Sequence, residues 1–388
     1  MDLLSKREGN LVSRRQNQSL LRVRVGHSYN DRFNVHHAQR NARLTSRAVT
    51  PLARYVKRMD NVALLEPGYD LIHTFNAVPL LTRCPFVITF EDYLPRTPED
   101  RPAPWLERYL LSRLKRPQCI ALLAMSEYAL RQMKYQNKGR PELDKISPKC
   151  EVLYPGIRPI RTAPKAAGKE LRLLFVGSDF FRKGGPAVIR AHRLLRAAKV
   201  PVHTTIVSSL RWSVDDYIGP PDPKGVATAA SDMTGEGITL HRSLANEQVR
   251  RLMEEADFLV LPTFHDTFGY VTLEAMAAGT PVICTGTCAL LEVVEPGRSG
   301  FFLDFDNDDT VGKWRWMYGQ SRPGYVEAYW STIDRLSAAL TERLQQCWET
   351  RSEYEVLSAG ALARIATKFH ADRARNRLEQ IYEQALRP

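Results

Sequence analysis

The stretch "TFHDTFGYVTLEAMAAGTPVI" (Thr263–Ile283) decides the fold. It follows the apolar run "DFLVLP" and ends in a second one, "PVICTG". Short apolar runs closed by turn residues read as strands buried on both faces. Between them, Gly269 permits a tight turn and "YVTLEAMAA" favours a helix. Gly279 then suits the helix end, with Pro281 just beyond it. A helix that starts straight after a strand presents unpaired N–H groups and the positive end of its dipole, which suits an anion such as a pyrophosphate. Asp266 lies on the loop before that turn and Glu274 about one turn into the helix, eight residues apart. Two carboxylates straddling an anion site would repel the anion itself. They suit the hydroxyls on either side, a ribose and a second sugar.

Outward from this stretch, strand-like and helix-like segments alternate. "LLRVRVG" (Leu20–Gly26), "YDLIHTF", "PFVITF", "CIALLAMS" and "KCEVLYPG" read as strands of a first α/β block. "TPLARYVKRM", with Thr50 as cap and Pro51 at the first helical position, and "SEYALRQMKYQ", capped by Ser126, read as its helices. "YPGIRPIRTAPKAAGKE" (Tyr154–Glu170) has the composition of a linker. A second block follows: "LRLLFVG", "PVHTTIV", "DFLVLP" and "PVICTG" as strands, with helices between them. The expected fold is α/β, with two Rossmann-like, doubly wound domains facing across a cleft. The expected bounds are residues 1–157, a linker at 158–170, 171–370, and a last helix at 371–388 packing back on the first domain. Ligands of such sheets bind at the carboxyl ends of the strands. Residues 211–237 read as an extended surface insertion.

The second site of interest is "FVGSDFFRKGG" (Phe175–Gly185), also between a strand and a helix. Arg182 and Lys183 there could neutralise a diphosphate leaving group through charge-assisted hydrogen bonds, each worth about 1.5–3 kcal/mol. The stretch is not a Walker A loop, because the position of the second glycine falls on Arg182.

The two motifs occur in order, each at a strand-to-helix junction. Together they resemble the large retaining glycosyltransferase family with the GT-B architecture (family four, the "glycosyl transferases group 1" type). "DTFGYVTLEAMAAGTPVI", flanked by "ADFLVLPT" and "LLEVVEPGRSGFFLD", is similar to that family's C-terminal signature. "YDLIHTFN", "MSEYALRQM" and "VLYPGI" extend the resemblance into the first block. The resemblance implies transfer of a sugar from a UDP- or GDP-sugar with retention and with no cofactor or obligatory metal. It places Glu274 on the donor ribose, and Lys183 with Arg182 on the diphosphate. Asp266 stands where the family has its first glutamate. Donor contacts are expected from Gly177, Ser178, Thr267, Phe268, Gly269, Tyr270 and Val271. Ser178 replaces the usual arginine, and Glu91, followed by Asp92, replaces a histidine of the first domain, so Glu91 is the acceptor-side candidate. The alternatives are a catalytically silent nucleotide-sugar binder, or another GT-B enzyme such as an epimerase or a phosphorylase.

Other features bound the reading. The chain has 388 residues, 44% apolar and 25% charged, which suits two globular domains. Its start has no apolar targeting run, and "CIALLAM" is far too short to span a bilayer, so the expected location is the cytoplasm. Net charge is +12, and residues 1–60 carry +9 of it. That excess, with an amphipathic pattern over Pro51–Met59, suggests a peripheral seat on the inner face of an anionic membrane. The acceptor is then a lipid-linked glycan, with a free sugar or another small molecule as the alternatives. No nucleic-acid reading module accompanies the charge. "DFDNDD" lacks the glycine and the final glutamate of a calcium loop, having Asp309 and Arg315 there. Cys284 and Cys288 read as reduced thiols, His36 and His37 as surface residues, and the stripe Trp314, Trp316, Tyr318 as domain packing.

Overall fold

The structure is a computed structural model, and it describes residues 21–26, 42–47, 62–63, 69–80, 82–96, 104–214, 216–308 and 312–385. The helix expected at Pro51–Met59, the histidines His36 and His37, and most of the basic amino-terminal region lie outside the described residues. The chain divides into two compact units. Residues 1–124, 133–153 and 371–388 fall in the first, and 125–132 with 154–370 in the second.

The first unit contains strands β1 (Leu21–Gly26), β2 (Ala42–Arg47), β3 (Val62–Ala63), β4 (Leu71–Phe75), β5 (Val78–Pro79), β6 (Phe86–Phe90), β7 (Cys119–Ala124) and β8 (Cys150–Val152). Six of them form one sheet in the order β2-β1-β4-β6-β7-β8, with parallel pairing throughout. Helix α1 (Pro104–Leu114) precedes β7, and α2 (Glu127–Gln136) follows it. Ser126 caps α2 through its Oγ, which accepts the Ala129 N–H at 2.9 Å. Strand β6 is buried along its whole length, as its unbroken apolar run requires.

The last helix, Ala371–Gln384, belongs to this unit. Ala374, Leu378, Ile381, Tyr382 and Ala385 recur at helical spacing and make one apolar stripe. That stripe packs with Leu71, Val87, Leu123 and Leu153 of the sheet side. Two polar ties fix its register. His73 Nδ1 lies 2.6 Å from the Tyr382 hydroxyl while its Nε2 lies 2.8 Å from Thr89 Oγ1. Arg377 Nε donates to Glu151 Oε1 at 3.0 Å.

The second unit is built on strands β9 (Leu171–Val176), β10 (Val202–Val207), β11 (Ile238–His241), β12 (Phe258–Leu261), β13 (Val282–Thr285) and β14 (Gly300–Leu303). Their order is β11-β10-β9-β12-β13-β14, again all parallel. The chain therefore runs outward from β9 in one direction, then returns to its other side at β12. The loops after β9 and β12 lie side by side at this switch point, where open α/β sheets bind ligands. Helices α3 (Gly185–Ala197), α4 (Pro223–Ser231), α5 (Asn246–Glu255), α6 (Tyr270–Ala277), α7 (Leu290–Val293), α8 (Tyr325–Glu349) and α9 (Tyr354–Thr367) complete the unit.

Two segments differ from the sequence expectation. The stretch read as a linker is strapped to the second unit. The Ile160 N–H donates to the Ala277 carbonyl at 2.8 Å, and Ile157 bridges His370. Lys165 is buried, and its ammonium donates to Thr280 Oγ1 at 2.7 Å and to carbonyls at the end of α5, that of Ala256 among them. A lysine that satisfies a helix C-terminus holds this stretch in place. The insertion at 211–237 is likewise anchored and not merely on the surface. It contains α4, buries Ile218, Gly219 and Pro220, and receives hydrogen bonds from Trp330 and Gln320. Trp314 packs as expected, buried against Phe264, Tyr325 and Tyr329, whereas Tyr318 is half exposed.

Candidate active site

Both strand-to-helix junctions turn on a left-handed glycine at the helix N-cap: Gly184 (φ 75°) before α3 and Gly269 (φ 78°) before α6. Gly184 is also a place of close approach. A Cβ there would sit 1.9 Å from the Pro262 carbonyl oxygen, so only glycine fits. The loops are bonded to each other as well, the Phe264 N–H donating to the Arg182 carbonyl at 3.0 Å. Gly177 follows β9, and a Cβ there would be 3.0 Å from Lys183 Cγ. Its bareness lets the lysine stem cross over the strand end.

The result brings the two sequence motifs into contact. The Lys183 ammonium is ion-paired with Asp266 Oδ2, and both side chains are largely buried. Asp266 Oδ1 accepts the Gly269 N–H at 2.9 Å, closing the loop before α6. One of the turn amides expected to face an anion is therefore already engaged by Asp266. Burial pushes the Asp266 carboxyl up, but Lys183 and Arg182 outweigh it and hold the group below its ordinary value. Arg182 donates from Nε to Asp179 Oδ2 at 3.1 Å and from Nη1 to the His265 carbonyl at 2.8 Å. Arg211, from the insertion, pairs with the other Asp179 oxygen at 2.9 Å. Among these ion-paired groups three cations face two carboxylates, beside two helix N-termini.

In α6 only Val271 and Glu274 escape full burial, and Asp266 and Thr267 on the preceding loop are likewise partly accessible. Phe268 and Tyr270 are buried with their rings 5.2 Å apart, and they brace the turn. Ser178 is exposed, and its carbonyl accepts from Ser208, Ser209 and the Arg211 N–H, which ties the loop after β9 to the insertion. Tyr217 was not among the residues expected at the site. Its ring lies against Arg182 at 5.8 Å, and its hydroxyl is 3.3 Å from His265 Nδ1. An unpatterned insertion carries no signal for such a contact.

Glu91 lies in the first unit, after β6. It pairs with Arg96 at 3.0 Å and accepts from the Asn76 amide at 3.2 Å. Asp92 beside it is buried. Among the described residues no group of three or more His, Cys, Asp or Glu side chains is arranged to hold a metal ion. Cys284 and Cys288 are free thiols, both buried.

Residues 157–313, which span both loops, match the model for glycosyl transferases group 1. Over this segment the chain is similar to the group 1 glycosyltransferases. A D-inositol 3-phosphate glycosyltransferase of Arthrobacter sp. FB24 is 31% identical over 157 residues, covering 39% of this chain and 35% of that protein. The lipopolysaccharide glucosyltransferase WaaG of Escherichia coli K12 is 31% identical over 128 residues, covering 33% and 31%. The chain thus spans about a third of the length of these curated relatives. A glycosyltransferase from Rickettsia africae ESF-5 shares the fold over 95% of this chain and 99% of its own, with TM-score 0.61 and 12% identity. HepE of Anabaena, solved with UDP and glucose, does so over 94% and 100%, with TM-score 0.60 and 15% identity. The matched segment therefore sits in a two-sheet architecture of the GT-B kind, with Lys183 and Asp266 at the switch point of the second sheet.

Proposed function

We propose that this protein transfers a sugar from a UDP- or GDP-sugar to an acceptor with retention of configuration. The observation that carries the reading is the contact of Lys183 with Asp266 between two helix N-termini at the switch point of the second sheet. A diphosphate placed there would exchange Asp266 for phosphate oxygens as the partner of Lys183, with Arg182 beside it. As the bond between the sugar C1 and the diphosphate oxygen breaks, negative charge grows on that oxygen. Prepositioned cations then lower the barrier by several kcal/mol each. Asp266, released from Lys183, orients the sugar ring, and Glu274 holds the ribose from the partly accessible side of α6. The scheme uses protein cations in place of a metal. Glu91 is proposed as the acceptor-side carboxylate, and a lipid-linked glycan at an anionic membrane as the acceptor.

A panel of UDP- and GDP-sugars tested by thermal shift identifies the donor, since a ligand raises stability by mass action. Release of nucleoside diphosphate from the stabilising donor then separates an enzyme from a silent binder. The binder reading is favoured by the ion pair itself, which leaves Lys183 neutralised before any ligand arrives. Stabilisation without release on any acceptor would establish it.

A further inference from the structure

His265 immediately precedes Asp266 and is 5% exposed. Its carbonyl accepts from Arg182 and from Thr263 Oγ1 at 3.0 Å, so the backbone is fixed. Its Nδ1 lies 3.3 Å from the Tyr217 hydroxyl. Its Nε2 is buried and has no hydrogen-bond partner among the described residues. A buried, unpaired ring nitrogen is destabilising, and one retained beside a candidate active site calls for a reason. The ring is also kept neutral. Burial lowers its pKa to about 3, and Lys313 and Arg182 push in the same direction.

Resting on the donor-site reading above, we propose that Tyr217 and His265 read the transferred sugar: the phenol fixes the imidazole, and Nε2 hydrogen-bonds a hydroxyl of the sugar ring beside Asp266. Tyr217, with its hydroxyl pushed up to about 12 by burial, stays protonated and is a competent donor to Nδ1. That leaves the proton of the neutral ring on Nε2, facing away from the phenol. A phosphate oxygen fits this nitrogen less well than a hydroxyl. An anion there would draw a proton onto the ring, and the cations that serve phosphate, Arg182 and Lys183, already stand next to it. The insertion at 211–237 thereby gains a role, since it delivers the phenol that sets the tautomer. His265 is then a specificity residue, and Tyr217 a positioning residue that acts through it.

Two conservative variants test the assignment. An asparagine amide reaches the Nδ1 position and keeps the tie to Tyr217, whereas a glutamine amide reaches the Nε2 position. Affinities are measured by calorimetry on the full chain for UDP and GDP, and for UDP-glucose and GDP-mannose. His265→Asn should lose about tenfold in affinity for the nucleotide sugar and stay within about twofold for the free diphosphate. His265→Gln should retain most of the sugar affinity. Tyr217→Phe should lose about threefold, again for the nucleotide sugar only. The reverse ranking, with His265→Asn harmless and His265→Gln defective, would make His265 a structural support of Tyr217 and overturn the inference. An equal loss for diphosphate and nucleotide sugar, or affinity falling as pH rises through 6 to 7, would place a phosphate at Nε2 and overturn it as well. Wild-type protein that binds none of the four probes would refute the donor-site reading, and this inference with it.

Discussion

Replacing Gly184 with alanine tests the contact that joins the two loops. Two penalties act there. A left-handed backbone costs a residue with a Cβ about 1–2 kcal/mol, and Gly184 has φ 75°. The added methyl would also stand 1.9 Å from the Pro262 carbonyl oxygen and 2.7 Å from its carbon. Backbone must move to admit it, which costs about 1–3 kcal/mol more. Gly297 supplies the control within the same unit, with φ 74° and nothing within 4 Å of a Cβ. Gly297→Ala should therefore lose about 1–2 kcal/mol and Gly184→Ala about 2–5 kcal/mol. In a unit of this size each kcal/mol moves the midpoint by about 2–4 °C. Scanning calorimetry of ligand-free wild type and both variants should show Gly184→Ala melting several degrees below Gly297→Ala. Equal melting temperatures would mean that the loop after β9 does not rest on Pro262, and the alignment of Lys183 with Asp266 would lose its support.

The remaining expectations concern charge and register. Lys183→Ala should lower kcat/KM by about 2–4 kcal/mol of transition-state stabilisation, and near-normal turnover in a folded variant would remove the lysine from leaving-group duty. Asp266→Asn should abolish transfer with little change in affinity for nucleoside diphosphate, as titration calorimetry would record. Burial lowers the His73 pKa to about 3, so the unfolded chain takes up a proton below its ordinary 6.5 while the folded unit does not. Stability then falls as pH drops from about 6 to 3, by up to about 1.4 kcal/mol per pH unit. Urea titrations of His73→Gln should show a shallower acid dependence than wild type. Leu378→Ala removes a fully buried side chain of the last helix and should cost the first unit about 2–5 kcal/mol, measurable in the same titrations.

The strands were legible because a parallel strand buried on both faces must be apolar without a break, as "FVITF" and "FLVL" are. The turn at Gly269 was legible because a left-handed residue between a strand and a helix is nearly always a glycine. The direct pairing of Lys183 with Asp266 was not, since sequence separates them by more than eighty residues and only the neighbouring of β9 and β12 joins them. Composition did not reveal the tie at Lys165, where one buried lysine pins a segment rich in proline, alanine and glycine. Tyr217 and the free edge of His265 left no trace in the pattern. A single aromatic in an irregular insertion acquires its meaning only from what it touches.

The last helix completes the sheet of the first unit, with Tyr382 on His73 and Leu378 among the strands. During synthesis this has a consequence for timing. Residues of the first unit leave the ribosome early, yet their core lacks its cover until residue 385 has been translated. The second unit, contiguous from 154 to 370 apart from eight residues supplied earlier, has all its strands before then. The portion made earlier is therefore the later of the two to close, and its exposed sheet must wait under guard while the loops after β9 and β12 are already set. Folding factors that bind nascent apolar strands should be found on the amino-terminal half, and a stall just before residue 371 should leave that half open to protease and the other half resistant.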